Sequence, residues 1–328
     1  MLASYKNNYE DTGMKRMFAS LTLALGALSA TAPALAASDY ARTRYPIVFA
    51  HGLSGFANIG PLEYWHGIPA DLHANGATTY VTQVSAFQSN EYRGEQLLRQ
   101  VEDILAVSGS ARINLLGHSQ GAPTARYVAA MIPSRIASVT TVGGVNKAGS
   151  PVADLILSAS GLPVIGAPAT SLITKVVNGF GSFIGLVSGE SLNQDSYAAL
   201  LSLSSAGTAA FNANYPAGIP ATACGEGAYV ANGIRNYSWS GTGVLTNPLD
   251  PTDVMFGLTS LAFIGKTDWQ NDGMVGRCAS HFGKVIRDDY FMNHTDEVNL
   301  MFGLVSIFAT DPKAVYRQHA NRLKLAGL

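Results

Sequence analysis

The segment INLLGHSQG, residues 113–121, decides the fold of this chain. It begins as an apolar strand, passes through a Gly-x-Ser-x-Gly pentapeptide centred on Ser119, and leads into a helix over 122–132 that ends at Pro133. A strand, this pentapeptide and a helix in series form a strained turn that lifts a serine hydroxyl above a sheet, and the glycines let neighbouring backbone approach. We therefore predict that Ser119 is a nucleophile. An ordinary serine in a glycine-rich loop is the alternative.

The same alternation of strand and helix extends along the chain on both sides of this segment. Apolar stretches rich in β-branched residues predict strands over 45–50, 78–84 and 136–142. Apolar residues at helical spacing predict a helix over 94–107. Short connections between such elements imply a mostly parallel sheet covered by helices on both faces.

The composition is that of a globular protein without a nucleic-acid partner. Hydrophobic residues make up 47% of the 328 residues, which is enough for a large buried core. Charged residues make up 13%, against a usual share of roughly 25%. The net charge is −1 and the sequence has no basic run, so it offers no electrostatic surface for DNA or RNA.

The first 36 residues are typical of a secretory signal peptide. A basic pair at residues 15–16 precedes an apolar stretch over 17–30, and ALA at residues 34–36 is a small-x-small cleavage pattern. This stretch is shorter than the roughly 20 residues of a membrane span. We expect a secreted protein of one domain over 37–328 that is not an integral membrane protein when mature. Met14 is a candidate for the true start of translation.

Cys224 and Cys278 are the two cysteines of the chain. In an exported protein, a lone pair of cysteines most simply forms one disulfide. Two unrelated buried thiols are the alternative.

An apolar stretch interrupts the alternation after the strand over 136–142. Between Asp154 and Glu190 the only charged side chain is Lys175, and the apolar residues over 172–187 keep a helical period. In the middle of such a pattern, an apolar helical insertion often covers the active site, although a helix of the core would look similar. We predict a helical lid or cap over roughly 151–205.

A serine nucleophile needs a base, and the base needs an acid that orients it. With this type of turn, the acid and then the histidine follow the serine in the chain. His319 lies on a basic helix face and is expected to be solvated, and His281 has no obvious partner. His294 lies in a polar loop before an apolar run of helical appearance over 298–308, and we predict that it is the base.

Asp272 is the leading candidate for the acid. It lies in the turn NDG, residues 271–273, after the apolar run over 258–265. Because Asp-Gly is also common turn chemistry, three further candidates stay open: Asp268, Asp288 and Asp289.

Backbone N–H groups must stabilise the oxyanion of a tetrahedral intermediate. The residue after the nucleophile, Gln120, supplies one donor, and the loop after the first strand supplies the other, for which Leu53 is the candidate. We expect His51 to be a structural histidine that fixes this loop.

Taken together, these motifs resemble the secreted bacterial lipases of the Pseudomonas and Burkholderia type, which have the α/β-hydrolase fold. The resemblance covers essentially the whole chain after the signal peptide and is strongest near its two ends. It rests on six stretches: YPIV at 45–48, HGL at 51–53, GHSQG at 117–121, NDG at 271–273, NHTDEVN at 293–299 and YRQHANRLK at 316–324.

The resemblance implies a lipase that hydrolyses triacylglycerols at lipid–water interfaces. It gives the apolar helix the role of a mobile lid and pairs the two cysteines with each other. Many members of the family require a membrane-anchored foldase before export, so a foldase chaperone is an expected partner beside the lipid substrate. The resemblance also assigns the catalytic triad and the oxyanion donors, which are Ser119, Asp272, His294, Leu53 and Gln120.

The resemblance further implies one structural calcium ion near the histidine loop. Its ligands are expected to be the carboxylates of Asp250 and Asp296 and the backbone carbonyls of Leu300 and Leu304. Calcium suits a site made only of oxygen ligands. An ion held by Asp296 would fix the loop that presents His294 without touching the substrate.

The chain departs from the family pattern at GVNKAGS, residues 144–150, where relatives commonly have Gly-x-Pro-His, a basic residue and Gly-Ser. This departure puts substrate preference and lid geometry in doubt. Leu300 also replaces a common Gln, although a main-chain ligand tolerates the change. Two alternative functions stay open: a short-chain esterase or polyester depolymerase on the same scaffold, and a catalytically inactive α/β-hydrolase that only binds.

Overall fold

In the computed structural model, which describes residues 38–160 and 192–328, a seven-stranded sheet underlies the fold. A separate short hairpin supplies the second and third strands of the chain. The strands are β1 Ile47–Ala50, β2 Asn58–Ile59, β3 Leu62–Glu63, β4 Thr79–Val81, β5 Ile113–His118, β6 Ile136–Val142, β7 Val230–Ala231, β8 Ile234–Gly241 and β9 Lys284–Tyr290.

The strand order is β4-β1-β5-β6-β8, and both β9 and the short β7 pair with β8 at the end of this order. Every pairing in this sheet is parallel except that of β7 with β8. Helices connect the strands or cover the sheet within the compact unit Ser38–Leu328. They are α1 Ile68–Ala74, α2 Asn90–Ser108, α3 Gly121–Met131, α4 Pro151–Ser160, α5 Ser196–Leu203, α6 Ser205–Asn214, α7 Pro251–Thr259 and α8 Pro312–Leu325, with 3-10 turns at Pro133–Arg135, Ser260–Phe263 and Asp296–Val298.

Both faces of the sheet are buried, and β1 shows why its sequence is apolar throughout. Ile47 and Phe49 pack in the core cluster that includes α1 and α8, whereas Val48 and Ala50 pack in the cluster that includes α2 and α3. Successive side chains of a strand point to opposite faces, so both sets of side chains in β1 face the core. The predicted mostly parallel sheet flanked by helices is confirmed.

Two local predictions are wrong. The run over 298–308 is not a helix: it follows the 3-10 turn Asp296–Val298 with turns in which Asn299 and Phe302 have φ of 59° and 53°. These left-handed conformations cannot continue a right-handed helix. His319 is not solvated either, since it is 1% exposed and its Nε2 lies 2.8 Å from Thr140 Oγ1. It lies on the face of α8 that packs against the sheet, beside the buried Tyr316 and Leu323.

A disulfide joins Cys224 and Cys278, which are 54 positions apart. In the chain-entropy model, closing a loop of this length stabilises the fold by about 4 kcal/mol. The predicted lid helix over 172–187 and the signal peptide lie outside the described residues. Among the residues that are described, no helix is both long and apolar enough to cross a bilayer.

Candidate active site

Ser119 lies in the turn between β5 and α3 with a φ of 55°, in the left-handed region that non-glycine residues rarely adopt. The two motif glycines are required by the close approach of backbone around it. A Cβ on Gly117 would lie 2.2 Å from the carbonyl oxygen of Gly121, and a Cβ on Gly121 would lie 2.1 Å from that of Ala50. The turn packs closely against β1, and this packing is why the sequence has glycines at both positions of the Gly-x-Ser-x-Gly pattern.

The predicted base and the leading candidate acid are hydrogen-bonded to each other. His294 Nδ1 lies 2.7 Å from Asp272 Oδ2, and both side chains are buried. The other carboxylate oxygen of Asp272 accepts from the backbone N–H groups of Met274 and Val275, at 2.8 and 2.7 Å. A carboxylate held in this way keeps the imidazole proton on Nδ1, which leaves Nε2 free to accept a proton.

The other candidate acids have different partners. Asp268 accepts from two backbone N–H groups at residues 278 and 279. Asp288 lies 2.9 Å from His281, which gives that histidine the partner that its sequence context did not reveal. Asp289 pairs with Arg287 at the surface. Of the four candidates, Asp272 is the one that the structure brings to the predicted base.

Two small cavities adjoin Ser119. One, of about 20 Å³, is lined by both Ser119 and His294 together with Leu53. The other, also of about 20 Å³, lies next to Ser119 and has an almost wholly apolar lining that includes Val145 and Leu200. The nucleophile thus has the predicted base on one side and apolar surface on another.

The loop after β1 is held in place by buried polar contacts. Arg93, which is 0% exposed, donates from Nη2 to the carbonyl oxygens of His51 and Gly52. His51 Nε2 accepts from the backbone N–H of Val84 at 3.2 Å, and its Nδ1 lies 2.9 Å from the Gly52 carbonyl oxygen. Burial, with a contribution from the Arg93 charge, lowers the pKa of His51 to about 3. His51 is therefore a neutral, structural side chain, as its sequence context suggests.

This loop brings Leu53, one of the two predicted oxyanion donors, close to the nucleophile. A Cβ on Gly52 would lie 2.7 Å from Ser119 Cβ, so the loop passes directly beside the serine. In a trans peptide the C=O and N–H point in opposite directions, so the N–H of Leu53 points away from the guanidinium that binds the Gly52 carbonyl. Within the described ranges, no protein acceptor takes the N–H of Leu53 or of Gln120.

Three buried side chains beneath the site were missed by the sequence analysis. Tyr64 Oη accepts from the N–H of Gly52 at 3.0 Å and lies 2.7 Å from His118 Nδ1. His118 Nε2 in turn lies 3.4 Å from Glu297 Oε2. Burial, and then the charge of Asp272, raise the pKa of Glu297 well above its usual range, while burial lowers the pKa of His118. Burial thus favours the neutral form of both side chains.

Comparison with known proteins agrees with this architecture. The α/β hydrolase fold family matches residues 45–298. The chain belongs to this family. It is 52% identical to a triacylglycerol lipase of Vibrio cholerae over 91% of this chain and 93% of the relative. It is 40% identical to a triacylglycerol lipase of Burkholderia plantarii over 93% of each chain, and 42% identical to one of Pseudomonas fragi over 88% and 99%. The resemblance inferred from the motifs is thereby confirmed.

Solved structures share the fold of this α/β-hydrolase at low sequence identity. The mature lipase of Bacillus licheniformis superposes with a TM-score of 0.57 at 16% identity, covering 88% of this chain and 94% of the other. A metagenomic carboxyl esterase gives a TM-score of 0.59 at 15% identity, covering 86% and 76%.

In this α/β-hydrolase, one described group of side chains has the spacing of a metal site. The ligand atoms of His118, His294 and Glu297 lie within 4.8 Å of one another. These are the predicted base and two of the buried residues beneath it, so the group is part of the candidate active site. It does not include either carboxylate predicted to bind calcium.

The predicted calcium carboxylates lie in a buried acidic cluster beside the histidine loop. Asp250, Asp253 and Asp296 are each at most 5% exposed. Asp250 Oδ2 is buried and has no hydrogen-bond partner in the described part of the chain. Burial raises the pKa of Asp296 to about 7, and the charges of Asp250 and Asp253 add to the effect. A divalent cation would neutralise this cluster, so its donor set fits calcium.

Proposed function

We propose that this chain is a secreted triacylglycerol lipase that forms an acyl-enzyme on Ser119. The observation that carries the proposal is the buried 2.7 Å hydrogen bond between His294 and Asp272, next to a serine in a left-handed strand-to-helix turn. The names and high coverage of the relatives support triacylglycerol as the substrate class.

In the proposed mechanism, Ser119 Oγ attacks the ester carbonyl while His294 Nε2 accepts its proton. Asp272 holds the imidazole tautomer and stabilises the imidazolium. The N–H groups of Leu53 and Gln120 donate to the oxyanion, and each such donor is typically worth about 10²–10³ in rate. The imidazolium then protonates the leaving alcohol. Water, activated by the same histidine, finally releases the fatty acid and restores the serine.

The apolar cavity beside Ser119 is the proposed start of the acyl-chain site. Its lining includes Val145, Ile156, Leu200 and Met274, and such side chains favour an alkyl chain over a polar acyl group. Val145 belongs to the segment that departs from the family pattern, so we propose that this departure acts on acyl-chain preference.

We propose that calcium binds to Asp250 and Asp296, with the carbonyls of Leu300 and Leu304 completing the site. Bound calcium supplies positive charge that neutralises the acidic cluster. Asp296 lies two positions after His294, and its Oδ2 accepts from the N–H of Asn293. Fixing Asp296 therefore fixes the loop that carries the base, and the ion takes no part in the chemical steps.

Export, foldase dependence and lid opening complete the proposal. The disulfide supports passage through an oxidising compartment. Amino-terminal sequencing of protein from the culture medium should find residue 37 first, and a retained leader would contradict export by cleavage at this point.

Recovery of active enzyme should rise when a foldase of a related lipase is co-expressed. The lid is proposed over 151–205, with α4 and α5 at its two ends.

Covalent labelling tests the proposed nucleophile. A long-chain alkyl phosphonate ester should inactivate the enzyme with one adduct per chain, located on Ser119 by peptide mass spectrometry. An adduct on another residue, or full activity after labelling, would remove Ser119 from the mechanism. The ratio of rates on emulsified long-chain triglyceride and on a soluble short-chain ester then distinguishes a lipase from a short-chain esterase.

A further inference from the structure

A buried arginine that has no counter-ion among the described residues lies away from the candidate active site. Arg126, on α3, is 3% exposed, and its Nη2 donates to Asn212 Oδ1 at 2.8 Å and to the Tyr215 carbonyl at 2.7 Å. Its guanidinium stacks on the rings of Phe211 and Phe282, with centroid distances of 5.1 and 5.6 Å. Its Nε and Nη1 are buried and have no hydrogen-bond partner in the described part of the chain.

The described part of the chain places no carboxylate against this charge. Among the described residues, no Asp or Glu lies within salt-bridge distance of Arg126, although buried charges are normally paired. Burial lowers the pKa of Arg126 to about 9, and no neighbouring charge adds to or opposes this shift. An anion placed beside the guanidinium would therefore gain a strong, partly desolvated attraction.

Arg126 lines a cavity of about 460 Å³ that opens to the surface. This volume lies in the range of roughly 300–1,000 Å³ typical of small-molecule sites. Arg126 is the one charged residue of the lining among the described residues, and most of the remainder is apolar, including Ala129, Val139, Ile234 and Phe282. None of the lining residues borders either cavity at Ser119.

We propose that this cavity binds a medium-chain alkyl carboxylate, with the carboxylate against Arg126 and the chain along the apolar wall. The single positive charge matches a monoanion, whereas a phosphate dianion would need a second positive charge, which the described lining does not supply. The apolar wall gives an alkyl chain a surface that acetate cannot use. The inference follows from charge and lining alone and does not depend on the proposed activity. If both hold, the enzyme binds its product class at a second site.

The direct test is isothermal titration of the folded protein, with its nucleophile blocked by a phosphonate, against three probes. Octanoate has both features, 1-octanol lacks the charge and acetate lacks the chain. We expect octanoate to bind one to one, with the other two at least roughly tenfold weaker. Equal binding of 1-octanol would show an apolar groove without anion recognition, and equal binding of acetate would show a small-anion site. Either result overturns the proposal.

Two substitutions locate the site. Arg126→Met keeps the volume of the side chain and removes the charge, so octanoate affinity should fall at least about tenfold while 1-octanol affinity is unchanged. Because Arg126 also binds Asn212 and Tyr215, a second variant leaves it in place. Asn214→Asp adds a carboxylate at the exposed rim of the cavity and should weaken octanoate binding several-fold at low salt.

Ala213→Asp is the matched control. Ala213 is exposed on the same helix and does not line the cavity, so this variant adds the same charge without facing the ligand. Its octanoate affinity should equal that of the wild type. Equal affinities of the Asn214→Asp and Ala213→Asp proteins, or unchanged octanoate binding by a folded Arg126→Met protein, would refute the assignment of this cavity.

Discussion

Replacing Asp272 with Asn tests the proposed acid while keeping its structural contacts. The amide oxygen of Asn can still accept from the N–H groups of Met274 and Val275, as Asp272 Oδ1 does. This orientation turns the amide NH₂ towards His294 Nδ1, where the carboxylate now accepts at 2.7 Å. A donor at this position forces the imidazole proton onto Nε2, and a protonated Nε2 cannot accept the proton of Ser119.

The expected loss is large and confined to turnover. The corresponding Asp-to-Asn change in a serine protease triad lowers kcat by about 10⁴ without disturbing the geometry. Four factors of ten correspond to about 5.4 kcal/mol of activation free energy. Because the backbone hydrogen bonds are retained, the melting temperature of the Asp272→Asn protein should stay close to that of the wild type.

The assay is the initial rate of hydrolysis of a soluble ester and of an emulsified triglyceride, beside a thermal melt of each protein. Asp289→Asn is the matched control, since Asp289 was also a candidate acid and forms an exposed ion pair with Arg287, which contributes little to stability. Its rates should be those of the wild type. If the folded Asp272→Asn protein keeps more than a tenth of the wild-type rate, the argument from the tautomer is wrong. A further loss on adding Glu297→Gln would then identify Glu297, whose carboxylate lies within 4.8 Å of His294, as the acid.

Three further predictions follow from the fold and the acidic cluster. A calcium chelator should lower the melting temperature of the wild-type protein, and adding calcium, but not magnesium, should restore it. If the chelator changed the melting temperature of neither the wild-type nor the Asp250→Asn protein, the proposed site would be refuted. Gly121→Ala should lower the free energy of unfolding in urea by about 1–3 kcal/mol or more, because the added Cβ would lie 2.1 Å from the Ala50 carbonyl oxygen. A variant with wild-type stability would contradict the close packing of this turn against β1. Burial lowers the pKa of three histidines, so below pH 6.5 the unfolded chain binds protons that the folded protein does not. Each buried histidine therefore lowers the free energy of unfolding by up to about 1.4 kcal/mol per pH unit as the pH is lowered from 6.5 to 4.5; they are His51, His118 and His319. The raised carboxyl pKa values of Glu297 and Asp296 act in the opposite sense over this range. His319→Gln should therefore make the free energy of unfolding less dependent on acid than in the wild type, and an identical pH profile would count against the burial of His319.

The elements around Ser119 could be predicted from the sequence because their signals are local. The turn needs glycines at fixed offsets, and β5 and β6 are rich in apolar and β-branched residues because every position of both strands is buried. The start of α2 was missed by four residues, since its apolar period begins only at Leu97. The side chain of Ser89, which accepts from the N–H of Tyr92, is the N-cap signal that could have located it.

The polar residues that hold the site could not be predicted in the same way. Arg93 binds carbonyls that are about 40 positions earlier in the chain, and Tyr64 contacts His118 from 54 positions away. The order of the strands in the sheet determines which distant residues meet in such pairs. The local periodicity of the sequence does not reveal that order. The prediction that His319 is solvated was wrong for the same reason. The basic residues around it do not reveal which face of the helix packs against the sheet.

The most direct test of the proposed function is acid release from an emulsified long-chain triglyceride in the presence of calcium, with wild-type and Ser119→Ala protein compared at equal folded concentration. We expect steady release by the wild type and a loss of about 10⁵–10⁶ in rate for the variant. Similar release by both proteins would show that another residue is the nucleophile. No release by folded wild-type protein, on triglyceride or on a soluble short-chain ester, would contradict the proposed activity itself.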